Sequence, residues 1–163
     1  MIMDTPSGRI ILAEDNEDDA FLTARALESA GIAQEIIHCR DGQEVIAYLE
    51  NALSPRTKHA GFEVPHLILL DLKMPRLGGL EALKWIRDHE IFKPLIVLAL
   101  TSSSEERDVK AAYDLQINAY MVKPSSLSEM IDLARAIRQF WLEQKHIKKP
   151  HLSFARSSDL SIS

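Results

Sequence analysis

Hydrophobic and polar positions divide the chain into two alternating kinds of segment. Short apolar runs stop abruptly at polar residues, and longer segments with apolar residues every three or four positions follow them. The first kind is typical of strands buried on both faces, and the second of amphipathic helices. The pattern predicts strands at 10–13, 34–39, 67–70, 95–100 and 118–122. It predicts helices at 18–30, 45–53, 80–90, 105–115 and 126–145.

This alternation predicts the fold class. Strands that alternate with helices favour parallel pairing through right-handed crossovers. We therefore expect an α/β fold, with a doubly wound five-stranded parallel sheet between five helices. In such folds the functional crevice lies outside the carboxyl ends of the strands. A single folded domain is expected over 9–145, with a flexible N-terminus at 1–8 and a flexible tail at 146–163, where apolar periodicity is absent.

Local signals predict some of the boundaries. Gly31 follows the first helix and is expected to end it, as glycine often does just past a helix. Ser103 or Ser104 is expected to cap the fourth helix, whose first turn is acidic. The segment 54–65, which contains two prolines and a glycine, is expected to be an extended loop.

Composition narrows the functional classes. The chain has 163 residues, 46% apolar and 26% charged, with a formal net charge of −5. That balance argues against disorder and against non-specific nucleic-acid binding. No signal peptide or run of about 18 apolar residues is evident, so no membrane partner and a cytoplasmic location are expected. The single cysteine, Cys39, excludes an intramolecular disulfide and is expected to be buried.

Polar residues with related chemistry follow four of the predicted strands. Glu14 and Asp15 follow the first strand, Asp71 the third, Thr101 the fourth and Lys123 the fifth. Because the carboxyl ends of parallel strands meet at one edge of a sheet, we expect these side chains to lie together. Each has an ordinary structural explanation alone, as a turn residue, a cap or a surface charge. Their joint placement at successive strand ends favours a functional site.

The residue types at this edge predict a particular chemistry. Crowded carboxylates repel one another, and a divalent cation removes the repulsion. Oxygen ligands without histidine or cysteine favour Mg²⁺ over zinc. A carboxylate is a known nucleophile for phosphoryl transfer, and Asp71 is the best candidate because it ends the central strand. Lys123 and the metal would then neutralise phosphoryl charge, and Thr101 would donate a hydrogen bond to it.

Four motifs resemble the response-regulator receiver domain of two-component signalling. They are ILAEDN at 11–16, LLDLKMP at 69–75, LALTS at 98–102 and YMVKP at 120–124, and the resemblance covers about 9–144. It implies a flavodoxin-like fold in which Asp71 is the phosphoacceptor and Lys123 contacts the phosphoryl group. It also implies that Thr101 and Tyr120 form a switch pair, although Tyr120 alone would be an ordinary half-buried strand aromatic.

The resemblance implies a metal site and two backbone features as well. Glu14, Asp15 and Asp71 would bind Mg²⁺ together with the backbone carbonyl of Lys73. Lys123–Pro124 becomes a candidate for a cis peptide bond, although most such bonds are trans. Gly79 matches a glycine for which an unusual φ is expected.

The sequence departs from the family pattern at three positions. Glu14 stands where aspartate is commoner, and its longer side chain is expected to reach the metal through water. Gly78 stands where many members have aspartate. Ser102 is a small residue after the switch threonine, and we expect it to leave the phosphoryl group open to a partner.

A finer resemblance concerns the subclass. The loop 54–65, the run AYDLQIN at 112–118 and the ending FWL at 140–142 resemble small regulators that pair with bacterial and cyanobacterial phytochrome kinases. The implied partner is a red-light-sensing histidine kinase. The apolar surface of the last helix further suggests a homodimer through helix four, strand five and helix five.

Three alternatives stay open. The chain would serve equally as an intermediate phosphorelay carrier for a kinase that does not sense light. A phosphatase of the haloacid dehalogenase type has a similar edge, but Lys73 stands where its second aspartate would act as an acid. A flavodoxin-like binding module would need a phosphate loop, and the acidic run at 14–19 would repel phosphate unless a metal intervened. We therefore expect a phosphoacceptor rather than an enzyme.

Overall fold

A computed structural model of the chain describes residues 8–57 and 60–143. Within them strands and helices alternate, as predicted. The strands are Arg9–Ala13 (β1), Glu35–Cys39 (β2), Leu67–Leu70 (β3), Ile96–Thr101 (β4) and Ala119–Val122 (β5). The helices are Glu17–Ser29 (α1), Gly42–Leu53 (α2), Gly79–Asp88 (α3), Glu106–Asp114 (α4) and Leu127–Ile137 (α5). In the part of the predicted loop 54–65 that the structure describes, Pro55–Thr57 forms a 3₁₀ turn.

The five strands form one parallel sheet in the order β2-β1-β3-β4-β5. Leu70 at the end of β3 pairs with Ala13 at the end of β1 and with Ala99 in β4. This register places the residues that follow β1 and β3 side by side at the carboxyl edge. The predicted α/β, doubly wound architecture is confirmed.

The sheet separates two apolar layers, because successive strand side chains point to opposite faces. Leu70 belongs to the layer that includes Val45 of α2, Leu83 of α3 and Ala112 of α4. Its neighbour Leu69 belongs to the layer that α1 and α5 cover. All four residues of β3 are buried, which explains why its sequence is apolar without interruption.

The structure confirms one predicted helix boundary and corrects another. Gly31 follows the last residues of α1 with a φ of 83°, a backbone conformation that glycine adopts without strain. The predicted cap of α4 is wrong, because its N-cap is Glu105 and no side chain caps it. The Ser103 hydroxyl donates instead to the Asp108 carboxylate at 2.5 Å.

The last helix is shorter as an α-helix than predicted. Ser126 caps α5, which gives way after Ile137 to a π-helical turn at Arg138–Leu142. The Arg138 guanidinium donates to the carbonyl oxygen of Ala30 at 3.0 Å and so fastens this turn to the end of α1. The predicted flexible tail at 146–163 and most of the predicted N-terminal segment lie outside the described residues. The predicted domain limits of 9–145 therefore stay a prediction.

One arginine ties the loops together at the amino edge of the sheet. The Arg87 guanidinium donates to the carbonyl oxygens of Lys93, Leu95 and Gln116, and to the side-chain oxygen of Asn118. Burial lowers the pKa of Arg87. These bonds anchor the segments that enter β4 and β5.

Two expectations from composition concern single features. Cys39 is buried, as predicted, and burial raises the pKa of its thiol to about 12. Among the described residues, every helix is too short or too polar to cross a membrane.

The unusual φ expected at Gly79 is not found, and glycine is needed there for a different reason. Its φ is not positive, in contrast to those of Gly8, Gly31 and Gly61. A Cβ at position 79 would lie 2.2 Å from the carbonyl oxygen of Asp71 and 2.7 Å from the Cα of Leu72. Close approach of the α3 N-terminus to the end of β3 therefore excludes a side chain here.

We predict that Gly79→Ala destabilises the fold by about 2–4 kcal/mol, because backbone atoms must move to admit the methyl group. Gly78→Ala is the matched control. Its Cβ would meet its nearest neighbour, the carbonyl oxygen of Leu72, at 3.5 Å, which is an ordinary contact. The control is expected to cost less than about 1 kcal/mol, most of it from the weaker N-cap preference of alanine. Urea unfolding measures both, and equal losses would contradict the steric explanation.

Candidate functional site

The acidic pair after β1 is placed by contacts with β2. The Glu14 amide donates to the carbonyl oxygen of Cys39 at 2.9 Å, and the His38 ring lies 2.7 Å from the carbonyl oxygen of Glu14. The Glu14 side chain is buried and accepts a hydrogen bond from the Asn16 amide at 3.0 Å. Asp15 is exposed. One carboxylate of the pair therefore points into the protein and the other faces water.

Asp71 lies directly after the central strand and is also buried. Its amide donates to the carbonyl oxygen of Ala13 at 3.0 Å, which continues the pairing of β1 and β3 by one residue. Its Oδ1 atom accepts a hydrogen bond from the Lys73 amide at 3.2 Å. The carboxylate is therefore fixed by the loop that follows β3.

Lys123 brings the buried carboxylates together. Its backbone amide donates to the carbonyl oxygen of Thr101 at 2.8 Å. Its ammonium forms an ion pair with Glu14, lies 3.2 Å from Asp71 Oδ2 and lies 3.4 Å from Asp19 Oδ2. The contact of Asp19 with Lys123 was not predicted from the sequence. The only feature that could have indicated it is the place of Asp19 in the acidic first turn of α1.

Three of the predicted metal ligands are close enough to share one ion. Carboxylate oxygens of Glu14, Asp15 and Asp71 all lie within 4.8 Å of one another. An oxygen-only donor set at such spacing suits Mg²⁺ or a similar hard cation. The amide of Lys73 holds Asp71, whereas a metal-binding role for its carbonyl oxygen stays a prediction.

We use the name acidic pocket for the group formed by Glu14, Asp15, Asp71 and Lys123. Its negative charges exceed its positive charge. Burial raises the pKa of Glu14 to about 7, and the nearby Asp71 charge adds to the rise, although Lys123 opposes it. Burial alone lowers the pKa of Lys123, but Glu14 and Asp71 outweigh that effect and raise it overall. A single ammonium thus leaves negative charge uncompensated, which a bound cation would relieve.

The predicted switch residues meet at Ser103. Thr101 is fully buried, and its hydroxyl oxygen lies 3.4 Å from the Ser103 amide, which donates to it. Tyr120 is half-buried, and its hydroxyl donates to the carbonyl oxygen of Ser103 at 2.7 Å. Sequence reasoning treated Ser103 only as a possible cap.

The predicted cis bond is wrong. The described residues contain no cis peptide bond, so Lys123–Pro124 is trans. The trans form is favoured intrinsically for such bonds by about 0.5–1 kcal/mol. In this form Lys123 already reaches both Glu14 and Asp71.

Fold and pocket together define a class of protein. A parallel sheet of order 2-1-3-4-5 carries, at its carboxyl edge, a buried aspartate beside an acidic pair and a lysine. This combination is typical of the receiver domains of two-component signalling. The chain belongs to the response regulator receiver domain family, whose model matches residues 10–135.

Relatives of this chain include response regulators, and two of the solved ones are phytochrome or bacteriophytochrome response regulators. Response regulator Rcp1 of Synechocystis sp. is 35% identical over 138 residues, which are 85% of this chain and 91% of the relative. The phosphorylated cyanobacterial phytochrome response regulator RcpA is 34% identical, with a TM-score of 0.76 over 87% of this chain and 99% of that chain. The bacteriophytochrome response regulator RtBRR is 35% identical, with a TM-score of 0.68 over 88% and 84%. Rcp1 has also been solved in an Mn²⁺-bound form, with a TM-score of 0.75 and 33% identity over 88% of this chain and 99% of that chain.

We predict that Glu14→Gln stabilises the metal-free protein at neutral and alkaline pH. The folded-state pKa of about 7 exceeds the ordinary 4.5, so the folded protein holds this proton more tightly than the unfolded chain. The penalty for ionising Glu14 is therefore absent below about pH 4.5, develops up to pH 7 and is complete above it. The variant should gain on the order of 1–3 kcal/mol at pH 8 and nothing near pH 4.5.

Urea unfolding in EDTA across this pH range measures the effect. Asp18→Asn, at an exposed residue of the same acidic run, is the control and should show no such pH-dependent gain. A Glu14→Gln variant that is less stable than the native protein at pH 8 would contradict the prediction. In that case the Lys123 ion pair, rather than burial, would dominate the energy of Glu14.

Proposed function

We propose that this response regulator accepts a phosphoryl group on Asp71 from the phosphohistidine of a sensor histidine kinase, with Mg²⁺ bound. The observation that carries the proposal is the position of the Asp71 carboxylate, which lies 3.2 Å from the Lys123 ammonium and shares a candidate cation site with Glu14 and Asp15. Glu14 is also buried and paired with Lys123, but only Asp71 directly follows the central strand, β3.

The two oxygens of Asp71 have different neighbours. Oδ1 is held by the Lys73 amide, and Oδ2 faces the Lys123 ammonium. This arrangement orients the carboxylate, and Lys123 supplies positive charge where phosphoryl oxygens would gather. Mg²⁺ bound by Glu14, Asp15, Asp71 and the Lys73 carbonyl oxygen would neutralise further charge on the phosphoryl group.

The contacts of Lys73 favour a phosphoacceptor over a phosphatase. An aspartate-nucleophile phosphatase needs a general acid two residues after the nucleophile, and Lys73 occupies that position. Its side chain forms an ion pair with Asp108 of α4 at 3.2 Å, so it is engaged with a neighbouring helix. We therefore propose that the protein takes part in its own phosphorylation and dephosphorylation without turning over an external substrate.

Exposed apolar residues beside the pocket support docking of a kinase there. Leu22 of α1 and Leu127 of α5 are both more than 40% exposed, and together with Pro124 they line a shallow surface next to Lys123. The similarity to phytochrome response regulators favours a bacteriophytochrome-type kinase as the partner. Phosphotransfer from such a kinase would also fit the predicted cytoplasmic location. A relay role for a kinase that does not sense light is the alternative, and comparing transfer rates from the two kinds of kinase discriminates between them.

We also propose a homodimer through α4, β5 and α5. β5 is an edge strand of the sheet, and its residues are only partly buried or exposed. Val122 at its end is 47% exposed and faces the same side of the sheet as Tyr120. A second copy would cover this edge, and changes around Tyr120 would then alter the dimer.

The central prediction concerns Asp71. Incubation with acetyl phosphate and Mg²⁺ is expected to add one phosphoryl group to the native protein, because Asp71 is the held nucleophile. Intact-mass measurement should show that Asp71→Asn abolishes the gain and that EDTA does so in the native protein. Asp18→Asn, outside the pocket, should be phosphorylated normally. A gain that persists in Asp71→Asn would refute Asp71 as the acceptor, and steady release of phosphate from p-nitrophenyl phosphate would favour the phosphatase.

The dimer proposal predicts that Val122→Glu weakens self-association by at least about tenfold, because it buries a charge against a second copy of the same charge. Sedimentation velocity over a range of protein concentrations, with and without acetyl phosphate, measures the change. Leu53→Glu is the control, since Leu53 is 37% exposed on α2, which packs against β1 and β2 and lies outside the proposed dimer surface. A native protein that stays monomeric throughout would rule the dimer out.

A further inference from the structure

Asp19 contacts the acidic pocket without belonging to it. Its Oδ2 atom lies 3.4 Å from the Lys123 ammonium, which also pairs with Glu14 and Asp71. The carboxylates close enough to share one metal ion are those of Glu14, Asp15 and Asp71, and Asp19 is not among them. Asp19 therefore reaches the lysine of the pocket from outside the candidate cation site.

The start of α1 fixes the position of Asp19. Its amide donates to Oδ1 of Asn16, the N-cap residue of the helix, at 2.9 Å. The Asp19 side chain is 49% exposed, whereas that of Lys123 is only 13% exposed. Protein atoms thus enclose Lys123 on most sides, and the carboxylates that it contacts determine where its ammonium points.

The balance of carboxylates around Lys123 would differ once Mg²⁺ is bound. Metal-bound carboxylates share their negative charge with the cation, so Glu14 and Asp71 would attract the ammonium less strongly. Asp19 lies outside the candidate cation site and would keep its full charge. In the Mg²⁺-bound protein, Asp19 would then be the main carboxylate of the three that draws the ammonium toward α1.

Phosphoryl transfer needs the same ammonium. With acetyl phosphate as donor, an Asp71 oxygen forms a bond to phosphorus. The bond between phosphorus and the acetate oxygen breaks with its electron pair, so acetate leaves and no proton is transferred. Lys123 stabilises the charge on the phosphoryl oxygens during this step. An ammonium that stays paired with Asp19 divides its attraction between two anions and stabilises those oxygens less.

We propose that Asp19 is a positioning residue that restrains Lys123 and thereby slows phosphorylation of Asp71, an inference that rests on the proposed function. Asp19 touches no reacting atom and acts through the lysine. The ion pair between α1 and Lys123 therefore sets how fast a donor is used, without taking part in the bonds that form and break.

Initial rates of phosphorylation by acetyl phosphate test this restraint, followed by intact mass on the full chain at saturating Mg²⁺. Asp19→Asn is expected to raise the rate about three- to tenfold, because it removes a competing ion pair from the resting protein. Asp18→Asn is the matched control. It removes the same charge from an exposed residue of the same turn and should change the rate by less than about twofold.

A double-mutant cycle shows whether Asp19 acts through Lys123. Lys123→Met lowers the rate by itself, and long incubation at high acetyl phosphate gives the residual rate. In this background Asp19→Asn should change the residual rate by less than about twofold, because no ammonium is left to restrain. An equal gain with and without Lys123 would overturn the inference, since repulsion of the donor by Asp19 would then explain it.

A measurement without any donor tests the contact itself. The ¹³Cε NMR signal of Lys123, identified by its loss in Lys123→Arg, is recorded in Mg²⁺ with ¹³C-labelled lysine. Asp19→Asn should shift this signal clearly more than Asp18→Asn does, because it neutralises an anion in contact with the ammonium. Equal shifts in the two variants would show that Asp19 does not hold Lys123 in the Mg²⁺-bound protein and would overturn the inference.

The rates also separate the inference from the proposed function. If the native protein gains a phosphoryl group and Asp19→Asn gains it no faster, the inference is wrong and the proposed function stands. Absence of any mass gain in the native protein would contradict the proposed function, and the inference would fall with it.

Discussion

The ion pairs of Lys123 determine how the carboxyl edge of this protein is built. Its ammonium contacts Glu14, Asp19 and Asp71, which come from the end of β1, from α1 and from the end of β3. Its backbone is bonded to Thr101 at the end of β4. One cation among three carboxylates holds these elements together yet leaves excess negative charge. The same contacts that stabilise the edge therefore also prepare it for a divalent cation.

The fold and the main residues of the pocket were predictable because one rule connects them. Parallel strands buried on both faces must be apolar until they reach the sheet edge, so the first polar residue after each apolar run marks that edge. Leu67–Leu70 is buried throughout, and Asp71 follows it directly. The same reasoning placed Glu14 and Lys123 correctly. The three carboxylates predicted to bind the metal are close neighbours as well.

Other features depend on tertiary contacts that leave no local signal. Asp108 and Asp19 each lie in the acidic first turn of a helix. The sequence of such a turn does not show whether a carboxylate faces water or contacts a lysine from another segment. Gly79 is required by the backbone of Asp71, which approaches only after the sheet and α3 have packed. The isomer at Pro124 is also hard to predict, because the two forms differ intrinsically by only about 0.5–1 kcal/mol and contacts in the folded protein select one of them.

The hydrogen bonds of Arg87 link β4 and β5 at the amino edge of the sheet, opposite to the acidic pocket. That guanidinium fastens the segments entering β4 and β5 through Leu95, Gln116 and Asn118, far along both strands from Thr101 and Lys123. The amino ends of β4 and β5 are therefore fixed relative to each other by an arginine of α3. Changes of charge at the carboxyl edge therefore act on β4 and β5 at the end opposite to the one that Arg87 holds.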